Sequence, residues 1–378
     1  MKMNILKTVS RSALIAGLFL SGAAMADETK PENGTIGYIV TDLEWTVYLT
    51  KDNKEECADG LNPWGPREQF KALYPDDGTK RTSKDTHLAF EIAGWFPDAD
   101  TPDKFPFYEV TGKKSFGFNL DGKTDANDFV SVDGKTTGID NELYRVIGCI
   151  VNLRPPEGAT AFYANKAVME ERWNRMLLEL TDVDSMLNDE AVTVKMYRGL
   201  DNLLTDATGS KYVPGGSMRV DTKWGQKYIQ TFKGKIVDGT LVTEPVPYAV
   251  LPWSSFQLPT EQKFHDMRIQ MALQPDSALA YFAGYVDVEN WYLQTVKSES
   301  THHQSYGQST PASMYKALRR RADAYPDPKT GRNTAISAAL QGKFVQAFII
   351  HPPGGPVAAV PMPRDTASAA EVTARGRE

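Results

Sequence analysis

A chain of 378 residues with 41% hydrophobic and 24% charged content has the balance of a folded globular protein. Its formal net charge of -6 argues against a nucleic-acid partner, because phosphates demand a basic face. Its two cysteines lack the CxxCH spacing of covalent haem and the CxxC spacing of a thiolate metal site.

At the start of the chain, Lys2, Lys7 and Arg11 surround the entry to an apolar run over 13–20. Small residues follow and end in Ala24-Met25-Ala26 before Asp27-Glu28. That order predicts a cleavable secretory signal peptide (1–26), removed after Ala26. The run is short of the roughly 20 apolar residues that span a bilayer. No later stretch is apolar enough to cross as a helix, and no cysteine follows the run for lipid attachment. The expected address is the periplasm, or outside the cell. In an oxidising compartment Cys57 and Cys149 are expected to pair, closing a loop of about 90 residues worth roughly 4 kcal/mol.

Residues 35–50 (TIGYIVTDLEWTVYLT) are β-branched and aromatic and read as strand. The segment 66–74, with Pro66 at a first helical position, predicts a short helix. Strands are expected over 88–95 and 105–110, and a core element over 143–153. Arg154-Pro155-Pro156-Glu157-Gly158 is a breaker, which sets an N-terminal β-rich subdomain at 27–155. Beyond it, 166–172 reads as helical. Short strands are then expected at 176–180, 192–197, 227–236, 241–243, 248–251, 267–273, 279–288 and 291–296. Asp238-Gly239 is a hairpin signal, and Gln274-Pro275-Asp276-Ser277 is a turn. This spacing predicts a mostly β fold, with a lectin-like β-sandwich or jelly-roll over 156–300. A helical C-terminal region (301–351) is expected next, with helices at 311–325 and 334–340 and a last strand at 344–350. The Pro-, Gly- and Ala-rich end (352–378) has the composition of a disordered tail.

The most chemically suggestive stretch is 119–142, NLDGKTDANDFVSVDGKTTGIDNE. Asn119, Asp121, Asp125, Asn127, Asp128, Asp133, Asp140 and Asn141, with Glu142 beside them, carry oxygens suited to a hard cation. Gly122, Gly134 and Gly138 supply turns. A calcium (Ca2+) site is one expectation. A turn-rich loop whose Asp and Asn side chains cap their own backbone is the other. An EF-hand register would put Gly117 at the first ligand position, so the loop is not an EF-hand. A second acidic group, Asp182, Asp184, Asn188, Asp189 and Glu190, is either a further cation site or a polar hairpin loop.

Leu120-Asp121-Gly122, Asp128-Phe129, Asp133-Gly134 and Gly138-Ile139-Asp140-Asn141 form a pattern. Together with 188–194 and the hairpin over 234–239, it resembles a group of exported bacterial proteins of unassigned function. The resemblance implies export and a shared fold. It brings no activity and no catalytic residue.

No nucleophile motif stands out. His302-His303 reads as an exposed pair and His265-Asp266 as structural, while His87 beside Asp85 and His351 before Pro352 could each serve a triad but have no GxSxG serine to serve. Arg319-Arg320-Arg321 reads as the wet side of a helix. The expected function is therefore a calcium-stabilised binding protein. Its ligand would be an unknown small molecule, a polysaccharide or other polymer, or an envelope protein, met through aromatics such as Trp64, Trp95, Trp224 or Trp253. The competing expectation is a secreted glycosidase- or esterase-like hydrolase using acidic-loop carboxylates.

Overall fold

The computed structural model describes residues 30–62, 78, 107–155, 158–166, 168, 175–255, 258–298 and 311–356. In β1 (Ile36–Trp45), Tyr38, Val40, Leu43 and Trp45 enter one core. A bulge between Val40 and Asp42 shifts the alternation by one residue, which explains the odd spacing. A small sheet follows, made of β2 (Lys114–Ser115), β3 (Phe129–Ser131) and β4 (Thr137–Ile139). Next come helices α1 (Glu142–Ile147) and α2 (Ala159–Lys166). The main sheet resumes with β5 (Met176–Thr181) and β6 (Asp189–Arg198), the short β7 (Gly216–Arg219), and β8 (Gln230–Val237). It continues through β9 (Thr240–Thr243), β10 (Val246–Ser255), β11 (Leu258–Leu273) and β12 (Ser277–Asp287). Helices α3 (Val288–Ser298) and α4 (Pro311–Arg321), then β13 (Ala324–Pro326) and the long β14 (Asn333–Ile350), complete the described elements.

Strand pairing decides the architecture. β1, β5, β6, β8, β9, β11, β12 and β14 each pair antiparallel with the next. β14 then pairs antiparallel back onto β1, from Tyr38 opposite Gln346 to Trp45 opposite Leu340. The ring closes. β9 and β10 act as one strand along β11, interrupted at Glu244-Pro245, where proline offers no N–H to a ladder. The fold is an eight-stranded up-and-down barrel, with β7 added in parallel to the end of β14.

The mostly β expectation holds, and the β-sandwich does not: one sheet curls onto itself instead of splitting into two layers. The breaker at 154–158 does not separate two sheets, because β1 pairs with β5 across it. Likewise the expected helical region after 301 contributes β14, the longest strand. Its 334–340 segment reads as helix because NTAISAAL is rich in Ala. Ladders to β12 on one side and β1 on the other hold it extended. The reverse holds at 291–296: WYLQTV has strand composition but is helix. Val288, Trp291, Tyr292 and Thr295 are buried at i, i+3, i+4 and i+7, one helical face. The core element expected at 143–153 is helical too, as α1 and a 3-10 turn. The Asp238-Gly239 turn is as expected, with φ of 48° and 73° matching the type I′ hairpin.

Helices close one end of the barrel. α2 contacts both β1 and β10, which stand on opposite walls of the ring, so it crosses the mouth. α3 packs on β11, β12 and β14, and α4 packs on α1 and α3. Leu143, Val146, Trp291, Met314 and Leu318 from these helices join the apolar interior.

Cys57 and Cys149 form a disulfide with a Cα–Cα distance of 5.8 Å, in a core with Val110, Phe129 and Tyr144. Beside it, Glu56 accepts from Arg154 Nη2 at 2.7 Å. With 92 residues between its ends, the bond is expected to contribute about 4 kcal/mol. Denaturant unfolding of the Cys57→Ser/Cys149→Ser pair variant should show that loss. An unchanged midpoint would refute it.

Candidate functional site

The acidic loop folds upon itself. Asn119 Oδ1 accepts from Gly122 N at 2.6 Å, and its Nδ2 donates to Lys123 O at 2.5 Å. Asp121 accepts from Lys123 N at 2.8 Å, and Asp133 from Ser131 Oγ at 2.6 Å and Lys135 N at 3.1 Å. Those bonds hold both carboxyls below their ordinary pKa, Lys123 N–H acting first on Asp121 and the Ser131 hydroxyl first on Asp133. Asp128 accepts from Asp125 N, and Asn127 offers its carbonyl to Arg145 Nη2 at 2.6 Å. Asn141 turns inward: Nδ2 donates to Thr46 Oγ1, Ser115 Oγ and Phe116 O, and Oδ1 caps α1 at Tyr144 N. Gly138, at φ 77°, is pressed so closely on Lys123 O that a Cβ would stand 2.5 Å from it. Among the described residues no group of three or more His, Cys, Asp or Glu side chains is arranged to hold a metal ion. The second acidic group behaves alike: Asp189 accepts from Asp184 N and Ala191 N, Asn188 from Asp238 N, and Asp182 from Thr193 Oγ1.

Asp140 is the loop residue that differs. It accepts from Leu120 N at 2.6 Å and Asp121 N at 3.3 Å. Burial pushes its pKa up to about 6 against those bonds, helped by Asp121 and Asp128. Asp323, between α4 and β13, accepts from Ser337 N at 2.8 Å. Solvent reaches Asp323, yet the protein packed around it pushes its pKa up to about 7, with Glu142 and Asp140 adding to the effect. Arg268 of β11 ties the loop to the barrel by donating to Leu120 O at 3.1 Å. Nearby, Tyr325 donates to Asp266, and both residues have positive φ, 57° and 49°. His265 stacks between Tyr248 and Tyr325, at 5.4 Å and 4.7 Å between ring centres.

A second candidate lies inside the helix-capped end. Trp45 stands 5.5 Å from Trp253, 5.9 Å from Trp291 and 6.1 Å from Phe264, ring centre to ring centre. These rings come from β1, β10, α3 and β11, all pointing into the lumen. Gln230, in phase with the inward Phe232, and Gln262, in phase with the inward Phe264, lie in the same half of the barrel. Gln230 Nε2, Gln262 Oε1 and Trp291 Nε1 are buried without a hydrogen-bond partner among the described residues. Each such atom costs about 1–3 kcal/mol when left unsatisfied.

The remaining expectations fall out as follows. His351 Nε2 lies 2.8 Å from Glu179. Arg321 Nε donates to Glu109 at 2.7 Å, so that part of the arginine run is ion-paired rather than simply wet. Trp224 is half-exposed beneath the Arg198 and Lys223 cations, whereas Trp253 is buried in the lumen and forms no surface platform. A groove of about 600 Å³ on the outer wall, lined by Asp182, Glu190, Lys233, Lys235 and Glu244, is open and mixed in charge. The expected signal peptide at 1–26, Trp64, His87, Trp95 and His302-His303 lie outside the described residues, as does most of 352–378. The lumen cluster was missed in the sequence because its rings come from four distant segments.

Two outcomes follow from the outer-wall geometry. Asp140 and Asp323 both have folded pKa values above the ordinary aspartate value of 3.8. The stability they confer is complete below that value and is lost as pH rises through 6 and 7. The melting temperature should fall from pH 5 to pH 8, and Asp323→Asn should flatten the upper part of the fall. A flat wild-type profile would contradict this. Because the side-chain oxygens of Asn119, Asp121, Asp128, Asp133 and Asp140 already accept from the loop's own backbone, EDTA and added calcium are both expected to leave the melting temperature unchanged. A rise with calcium would show that the loop rearranges into a cation cage.

No protein-family model, curated protein or solved structure matches this chain.

Proposed function

We propose that this chain is an exported binding protein that holds a small, largely apolar molecule in the helix-capped end of its barrel. One observation carries the reading: four aromatic rings converge on a lumen that also contains buried polar atoms without protein partners. Mouths of closed barrels are favoured ligand sites, apolar with a few placed polar groups. Ala249, Ala280 and Ala338 are among the small residues of the same core. Export is supported by the signal-like start of the chain and by the disulfide. No helix among the described residues is long and apolar enough to cross a membrane.

The hydrolase reading has one specific support. Asp323 is reachable by solvent with a pKa near the working range of a general acid, and it lies near enough to Asp140 to feel its charge. Hydrolysis of nitrophenyl glycosides or esters that vanishes in Asp323→Asn would favour it over binding.

The binding reading is tested with N-phenyl-1-naphthylamine as the probe. Its fluorescence should rise saturably with protein, and the emission of the lumen tryptophans should be quenched in step. Trp253→Ala should weaken binding about tenfold, the scale of losing one stacked ring with its buried area, in a variant that still melts cooperatively. No saturable signal, or an affinity indifferent to Trp253→Ala, would overturn the proposal.

A further inference from the structure

Beside Ser313 Oγ on α4, three partnerless atoms at the capped end have opposite characters. Gln230 Nε2 and Trp291 Nε1 can only donate, and Gln262 Oε1 can only accept. Their residues are 6%, 0% and 1% exposed, so outside water does not satisfy them. Gln230 stands opposite Met196 and Gln262 opposite Leu251 in the strand registers, while Trp291 meets Trp45 edge-on. The side chains around them, Met196, Leu251, Trp45, Trp253 and Phe264, are uncharged and apolar.

We infer that the lumen reads an uncharged, planar ring compound carrying both a hydrogen-bond acceptor and a hydrogen-bond donor. The acceptor faces Gln230 and Trp291, and the donor faces Gln262. This inference rests on the lumen reading above and names its ligand class. A fatty acid would bring a carboxylate into a setting of neutral side chains, where a buried charge without a counter-ion is strongly disfavoured. A sugar would bring more hydroxyls than these few protein atoms can satisfy. A flat ring matches the tryptophan and phenylalanine faces, and its substituents answer the three polar atoms.

The discriminating power should come from those atoms. A site built to hydrogen-bond a ligand hydroxyl rejects the analogue that lacks it, because its own polar atoms then stay unpaired. The test compares 2-naphthol with naphthalene on the full oxidised chain, by displacement of N-phenyl-1-naphthylamine and by direct tryptophan quenching. 2-Naphthol should bind at least about tenfold more tightly than naphthalene. Gln262→Leu, which keeps the side-chain volume, should bring the two affinities within about threefold in a variant that still melts cooperatively. Equal affinities in the wild-type chain would overturn the inference and leave lumen binding standing. So would a preference for 2-naphthol that survives Gln262→Leu. If the dye and both naphthalenes all fail to bind, the lumen reading fails with it.

Discussion

The ladder between β1 and β14 is the constraint on which the rest depends. It joins residues some 300 positions apart in the chain, Tyr38 with Gln346 and Trp45 with Leu340. A sheet left open there would expose two rows of unpaired backbone groups and the apolar faces they carry. Closure removes both edges and fixes the strand register, because a one-residue slip would turn every inward side chain outward. Bulges in β1 and in β11 are places where the chain takes up an extra residue and still returns to the inward phase.

Closure also creates the demand that the helices meet. An antiparallel barrel of this size has an interior filled by side chains along its length but open at its ends. The end bearing Trp45 is covered by α2, lying between opposite walls, and by α3 and α4, whose buried faces continue the barrel core. The aromatic cluster is therefore built where wall meets cap. Three of its rings ride on strands, and the fourth, Trp291, arrives on the helix that follows β12 directly. Uncapping the mouth would expose Trp45, Trp253 and Trp291, all of them buried.

Much of the strand set was legible because alternation and turn chemistry are local. Asp238-Gly239 and the Gln274–Ser277 turn announced their hairpins, and 176–180, 241–243 and 267–273 fell within observed strands. What failed was whatever depended on distant partners. Nothing local in NTAISAAL says that two neighbouring strands will hold it extended. Nothing local in 36–45 says that its partner is the final described strand. The 291–296 segment failed differently: composition was weighed where period should have been, since Val288, Trp291, Tyr292 and Thr295 already showed the helical interval. The candidate sites divide in the same way. Asp140 and its acidic neighbours were visible as a cluster, and the cysteine pair was visible by counting. The lumen rings and the partner Asp323 were invisible, because only the fold gathers them.

The outer wall shows how one local irregularity organises a larger surface. The β11 bulge between His265 and Arg268 inserts Asp266 in the left-handed region, which a non-glycine residue adopts at a cost of about 1–3 kcal/mol. Tyr325, an aromatic residue in the same region, is held by its hydroxyl bond to Asp266 and by rings on both sides, His265 and Tyr285. With the phase shifted by the bulge, Arg268 stands on the outer wall and grips the carbonyls of Asn119 and Leu120. That grip seats the start of the acidic loop, whose Leu120 and Asp121 N–H groups in turn hold Asp140. Tyr325 follows Asp323 by two residues, so the same strained contact fixes the second carboxylate near the first. The seating of the acidic loop and two residues at positive φ thus meet at one local irregularity of the barrel wall. The strain persists because the loop, the barrel and the C-terminal hairpin all depend on it at once.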